Sequence, residues 1–165
     1  SAAMLLVWIV RQDGGLVGCL LAAAGVLHVI RLGRWAGDRT LKERLVLILH
    51  VGYAFIPAGF LLASAAAFDL VPASAAIHAW MAGGAGVMTL AVMTRASLGH
   101  TGQQLTASLS TQGIYVAIVT AAIARIGAVI LPAWSMLLLY VAALAWVAAF
   151  FGFAVCFGPL LMRPR

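Results

Sequence analysis

Acidic and charged side chains are scarce in this chain. Only four Asp or Glu occur among 165 residues, and charged residues of both signs make up 8% of the sequence. Hydrophobic residues make up 65%, and the mean hydropathy is +1.11. A soluble domain needs about half of its exterior to be polar or charged. The composition therefore excludes a soluble globular domain and indicates a polytopic membrane protein.

Basic residues outnumber acidic ones, with a net charge of +6, but their placement argues against a nucleic-acid partner. They are confined mainly to short segments between apolar runs and to the C-terminus, as membrane topology produces. Nucleic-acid binding would need a basic face with stacking aromatic residues, which the sequence lacks. A cleavable signal peptide does not explain the apolar content, because long apolar runs continue through the whole chain. The partner that we expect is the lipid bilayer.

Cysteine is also rare, and two metal-site motifs are absent. Cys19 and Cys156 belong to the first and last apolar runs, near opposite membrane faces, so they are too far apart to form a disulfide. The chain contains neither CxxC nor HExxH. These absences exclude a thiolate metal site and a zinc hydrolase of the HExxH type.

Five apolar runs are long enough to cross a bilayer, which takes about 20 residues with a range of roughly 17 to 25. Because lipid offers no hydrogen bonds to the backbone, each run is expected to form a helix. The fold class that follows is all-α, a polytopic transmembrane helical bundle. The predicted spans are 15–30 (the shortest), 45–67, 75–94, 112–131 and 134–157.

A sixth apolar run, residues 4–10, stops at Arg11 and is far too short to span a membrane. It is either an interfacial stub or the end of a helix that is complete in a longer protein, and we favour the second. We expect residues 1–165 to form a single transmembrane domain that is the C-terminal part of such a protein. An oligomer, or association with the N-terminal part, would then supply the absent spans.

The loop charges predict the orientation of the spans. Residues 31–44 carry five Lys or Arg against two acids, whereas the next loop, around Asp69, carries no base. The other bases on the side of the basic loop are Arg95, Arg163 and Arg165, and the opposite side is marked by Asp13, Asp69 and Pro132. By the positive-inside rule the basic side, with the C-terminus, is cytoplasmic.

Four histidines are the main candidates for cofactor or metal ligands. His28, His50 and His78 lie within or at the ends of spans, where ionisable groups are costly and often functional, and imidazole is a common metal ligand. A single histidine within a membrane span is about as often a packing residue as a functional one. His28, His50 and His100 all fall toward the cytoplasmic side, while His78 lies at the outer end, roughly 25 Å from Thr94 along an unbroken helix. We therefore predict at most one cytoplasmic cluster, formed by His28 and His50 with or without His100, and a separate outer position at His78.

Two arginines and a run of small residues complete the candidate site. Arg125 lies inside a span, and no span contains an acid to pair with it. It either snorkels to the surface or neutralises an anion, such as a haem propionate or an acid of an absent segment. Arg95 is a topology anchor or a second carboxylate-binding group. The run "MAGGAGVM" (81–88) either brings helices close together or leaves room for a flat macrocycle.

Several of these motifs resemble those of a known family. The stretches "LHVGYAFIPAGFLL" (49–62), "IHAWMAGGAGVMTLAVMTRASLGHTGQQL" (77–105) and "FGPLLMRPR" (157–165), with the weaker "GVLHVIRLGRW" (25–35), resemble the NnrS family. The resemblance covers essentially the whole chain. It implies a bacterial inner-membrane protein that contains haem and copper and is linked to nitric oxide metabolism, with about twelve spans in the longer family members.

The resemblance also bears on the site residues. All four histidines and Arg95 fall within the matching motifs, without an assignment of each histidine to one metal. In the segment "GHTG" (99–102), two glycines allow a close approach of backbone to ligand. We therefore expect this loop, with His100 and Arg95, to cap a cofactor on the cytoplasmic side.

The function predicted on this basis is haem and copper binding in nitric oxide metabolism or in protection against nitrosative stress, with nitric oxide as a ligand. The sequence does not determine whether the protein is an enzyme. One alternative is a transporter or channel for a small solute, although Pro57 breaks one span without a counterpart elsewhere and no internal repeat is visible. The other alternative is a structural membrane subunit without a cofactor.

Overall fold

The computed structural model of the chain describes residues 2–10, 14–35 and 37–162, and all of its regular structure in those residues is helical. A short helix α1 (Ala2–Val10) precedes α2 (Gly15–Arg34) and α3 (Arg44–Ala67). Then follow α4 (Ser74–His100), α5 (Leu109–Ile130) and α6 (Ser135–Leu161). Short 3₁₀ turns at Gly37–Thr40 and Pro132–Trp134 precede α3 and α6.

The predicted helical bundle is confirmed, since five helices are long and apolar enough to cross a membrane. Short connections make consecutive spans antiparallel. One end of the bundle, here called the His100 end, holds the end of α2, the start of α3 and the end of α4. The other end, the His78 end, holds the start of α4 and the end of α5. Three orientation markers, Asp13, Arg163 and Arg165, and the predicted stop at Arg11 lie outside the described residues.

The helices pack around two apolar cores, one in each half of the bundle. Toward the His100 end, α3, α4, α5 and α6 bury a core that includes Leu90 and Ile118, both fully inaccessible. Toward the His78 end, α1 and α2 pack on α3 and the start of α4 around Leu21 and Phe60. The partial span 4–10 thus belongs to a helix that packs against the bundle, with Trp8 buried edge-on against Trp80.

Close helix contacts depend on glycine at two positions. In α3, a Cβ atom at Gly59 would overlap the indole of Trp80, and in α4 a Cβ atom at Gly83 would overlap the ring of Phe55. Trp80 also donates its indole N–H to the backbone oxygen of Ile56 at 3.1 Å. Small residues thus allow α3 and α4 to interlock, as is usual between membrane helices.

Large apolar side chains remain exposed along every span, as expected where lipid covers the protein. The last helix, α6, is the least covered, with Leu144 72% and Phe151 68% exposed. Cys19 and Cys156 are both unpaired and exposed on these surfaces. The prediction that they do not form a disulfide is therefore confirmed.

The segment after Arg95 is a helix end, where a loop was expected. The predicted span ended at residue 94, but α4 continues to His100, because the positive φ that ends the helix occurs at Gly102 and not at Gly99. There, Gly102 has a φ of 68°. Its N–H donates to the backbone oxygen of Gly99 at 3.3 Å, and the N–H of Gln103 donates to the backbone oxygen of Leu98 at 2.9 Å. These two bonds form a Schellman cap, which satisfies carbonyls that the end of a helix leaves unpaired.

Replacing Gly102 with alanine is expected to destabilise the protein by about 1–2 kcal/mol, because a Cβ atom is disfavoured at positive φ. The measurement is the thermal unfolding midpoint in detergent. Gly99→Ala is the matched control, since Gly99 is helical and only Leu105, at 4.0 Å, approaches the position of its added Cβ. Equal midpoints for the two variants would contradict a capping role for Gly102.

Candidate functional site

A cavity of about 620 Å³ lies between α4, α5 and α6. Its volume is within the range of about 300–1,000 Å³ that is common for small-molecule and cofactor sites. The walls are mostly apolar and include the rings of Trp146 and Phe150. The remaining lining residues are His78, Met81, Ala82, Ala85, Gly86, Thr89, Ala121, Arg125, Leu139, Ala142 and Ala143.

His78 and Arg125 are the two ionisable side chains of this cavity. His78 lies about one turn after the start of α4 at Ser74, and Arg125 lies a little more than one turn before the end of α5 at Ile130. Antiparallel packing brings these two helix segments to the same depth, near the His78 end. The sequence predicted both residues as site candidates, but it did not predict that they share one cavity.

The helix wall that carries His78 has an unusual backbone. Residues Ala79–Gly86 form a π-helix within α4, a conformation that is rare and often found at functional sites. Of the small residues in this segment, Ala82 and Gly86 line the cavity, whereas Gly83 faces Phe55 of α3. A Cβ atom at Gly86 would lie 2.8 Å from the ring of Trp146. One side of the run "MAGGAGVM" therefore packs closely on α3, as the first interpretation of it predicted, while room for a macrocycle on the cavity side stays a prediction.

Sequence reasoning missed the contribution of the last helix. Trp146 and Phe150 of α6 line the cavity, together with Thr89 of α4, which adds a hydroxyl group. One signal was available, since Trp is enriched at membrane interfaces and Trp146 lies near the middle of Ser135–Leu161. A tryptophan at that depth indicates a specific packing or binding role.

His28 lies in a second place, among aromatic rings of α2 and α3. Its Nδ1 atom lies 2.6 Å from the hydroxyl of Tyr53, within hydrogen-bonding distance. The imidazole also stacks on Phe60, with ring centroids 5.3 Å apart and an interplanar angle of 12°. These contacts fix the orientation of the ring.

His50 lies near His28, but its side chain forms a hydrogen bond with the backbone of its own helix. Its Nδ1–H donates to the backbone oxygen of Val46 at 3.1 Å. The ring of Trp35 lies beside both Tyr53, the partner of His28, and His50. Its centroid is 4.6 Å from the ring centroid of Tyr53 and 6.1 Å from that of His50. Tyr53 and Trp35 were not predicted as neighbours of these histidines.

Arg95 and His100 share a third place, an open groove of about 480 Å³ at the His100 end. The other lining residues are Leu49, Val92, Ala96, Gly99 and Leu105. Both side chains are carried by the last turns of α4, and both are exposed. The predicted pairing of Arg95 with His100 thus has a structural counterpart on one helix surface.

The four histidines therefore occupy three places, with His28 near His50, His100 beside Arg95, and His78 beside Arg125. Across residues 2–10, 14–35 and 37–162, no three His, Cys, Asp or Glu side chains group closely enough to hold a metal ion. Two of the three places combine an imidazole and a guanidinium with mainly apolar residues, and of these the His78–Arg125 cavity is the larger, at about 620 Å³ against about 480 Å³ for the groove beside Arg95.

The fold and this cavity define a class: a multi-pass helical membrane protein with a mainly apolar cavity between its spans. The family model described as "NnrS protein" matches residues 1–165. The chain therefore belongs to the NnrS family, as its motifs predicted. Comparison with curated proteins and with solved structures gave no match.

Proposed function

We propose that this chain binds haem in the His78–Arg125 cavity and acts, in the bacterial inner membrane, in nitric oxide metabolism or in protection against nitrosative stress. The observation that supports the proposal is one mostly apolar cavity of about 620 Å³ that holds both an imidazole and a guanidinium. Family membership supports the link to nitric oxide. The bound haem would supply an iron atom that binds nitric oxide.

The residues of the cavity fit such a group. The imidazole of His78 is a common haem ligand, and the planar guanidinium of Arg125 matches the carboxylate of a propionate. The small side chains of Ala82 and Ala85 and the rings of Trp146 and Phe150 offer apolar surfaces. In this arrangement His78 would hold the iron, Arg125 would orient the macrocycle, and the apolar walls would limit the access of water.

Copper, which the family resemblance also implies, fits the described residues less well. His78 and Met81 are the two copper-type donors in the cavity, fewer than the three ligands of a His₂Cys copper centre or the four of a tetragonal Cu(II) site. We therefore derive no copper site from this chain. His28, His50, His100 and Arg95 remain predicted ligands outside the cavity.

Occlusion of the cavity tests the proposal. Ala143→Trp is expected to weaken haem binding about tenfold or more, because Ala143 lines the cavity and an indole would fill part of it. The measurement is a titration of the detergent-purified chain with haem, followed by its absorption spectrum. Ala148→Trp is the matched control, since Ala148 is exposed on the same helix outside the cavity lining.

Equal haem affinity in the Ala143→Trp and Ala148→Trp variants would place haem elsewhere. Unfolding midpoints of both variants, measured without haem, separate an effect on the cavity from a loss of the fold.

A further inference from the structure

A furrow of about 300 Å³ runs between α3 and α5 on the surface of the bundle, apart from the haem cavity. Its α3 side is formed by Arg44, Leu47, Ile48 and Val51, and its α5 side by Gln112, Tyr115, Val116, Val119 and Thr120. Both sets follow the three- and four-residue spacing of one helix face. The furrow is therefore a continuous strip along two neighbouring membrane helices.

The furrow is polar at one end and apolar along most of its length. Arg44 is the first residue of α3, and Gln112 lies in the first turn of α5, so both mark the mouth of the furrow at the His100 end. The side-chain amide of Gln112 is held there by donating to the backbone oxygen of Ala107 at 3.0 Å. Arg44 is exposed and brings a positive charge to the mouth.

These dimensions match part of one acyl chain of a phospholipid. From Arg44 to Val51 the furrow extends roughly 10 Å along the helix axis. One leaflet of the hydrocarbon core is about 15 Å thick. An acyl chain whose headgroup lies at Arg44 therefore follows the apolar part of the furrow for about two-thirds of its leaflet.

The charge at the mouth selects the headgroup. No Asp or Glu lines the furrow, Arg44 is the charged residue of its lining, and the sequence segment that ends at Arg44, residues 31–44, carries five basic residues against two acids. Basic pockets between transmembrane helices bind anionic headgroups. We propose that the furrow binds an anionic phospholipid of the phosphatidylglycerol class, with its phosphate at Arg44 and one acyl chain between α3 and α5. The proposal is independent of haem binding and of which membrane face the His100 end occupies.

Native mass spectrometry of the detergent-purified chain with equimolar phosphatidylglycerol and phosphatidylcholine tests this assignment. Wild type is expected to bind phosphatidylglycerol about fivefold more tightly, the effect of roughly one basic residue near a headgroup. Arg44→Gln is expected to remove that preference, and Arg44→Lys to keep it. Arg34→Gln is the matched control, because it removes the same charge from the same basic region outside the furrow.

A second variant tests the acyl-chain part of the furrow. Val116 is 67% exposed on the furrow wall, so Val116→Trp is expected to reduce the binding of both lipids without a change in charge.

Three results would overturn the proposal. One is equal binding of both lipids by wild type. Another is the same loss of preference in Arg34→Gln as in Arg44→Gln, which would assign the effect to the diffuse charge of the basic region. The third is binding of inorganic phosphate as tightly as phosphatidylglycerol, which would make the site a phosphate site without a lipid.

Discussion

Replacing His78 with alanine is expected to lower the haem affinity of the chain on the order of a hundredfold. Loss of a residue that merely supports a ligand already costs about 10–100-fold, and His78 would be the ligand itself. The measurement is a haem titration of the purified variant, read from the Soret band. Its unfolding midpoint without haem is expected to stay near that of wild type, because His78 lines a cavity and is only partly buried.

The other three histidines provide the comparison. His28→Ala, His50→Ala and His100→Ala change residues that lie outside the cavity, among aromatic rings or in the groove beside Arg95. Each is expected to keep haem affinity within a fewfold of wild type. If one of them loses haem while His78→Ala retains it, the cofactor lies at one of the other two places.

Replacing Gly59 with alanine is expected to destabilise the fold by about 2 kcal/mol or more. The added Cβ atom would overlap the indole of Trp80, and overpacking of this kind typically costs about 1–3 kcal/mol. Displacement of the indole would also weaken its hydrogen bond to Ile56. The measurement is the thermal unfolding midpoint in detergent, with an expected fall of roughly 5 °C.

Gly113→Ala is the matched control for this prediction. Gly113 is an exposed helical residue of α5 with no atom within 4 Å of the position of its added Cβ. The same substitution is therefore expected to be neutral or slightly stabilising there, since alanine favours the helix. A midpoint for Gly59→Ala equal to that of Gly113→Ala would show that α3 and α4 do not interlock at Trp80.

The spans could be predicted from the sequence because the bilayer fixes the length of each apolar run and the backbone must satisfy itself within it. The ends of spans were harder to place. The polar residues after Thr94 suggested a loop, yet α4 continues to His100, since serine and arginine are compatible with a helix and the stop signal is Gly102. The helix ends just before Gly102 because of the backbone conformation of that residue. The polarity of the side chains before it does not end the helix.

The candidate site could be predicted only in part. His78 and Arg125 were recognisable because each is an ionisable group within or at the end of an apolar run. Their common cavity was not, because the sequence does not specify which spans are lateral neighbours. For the same reason Trp146 was missed, although it faces the same cavity from α6.

The central claim is that residues of this chain bind haem in the His78–Arg125 cavity. The most direct measurement is a reduced-minus-oxidised absorption spectrum of the detergent-purified chain loaded with haem, with total iron and copper on the same sample, for wild type and His78→Ala. A Soret band with about one iron per chain is expected in wild type, together with its loss in His78→Ala. A wild-type chain without a Soret band, or a His78→Ala chain with an unchanged one, would contradict the claim.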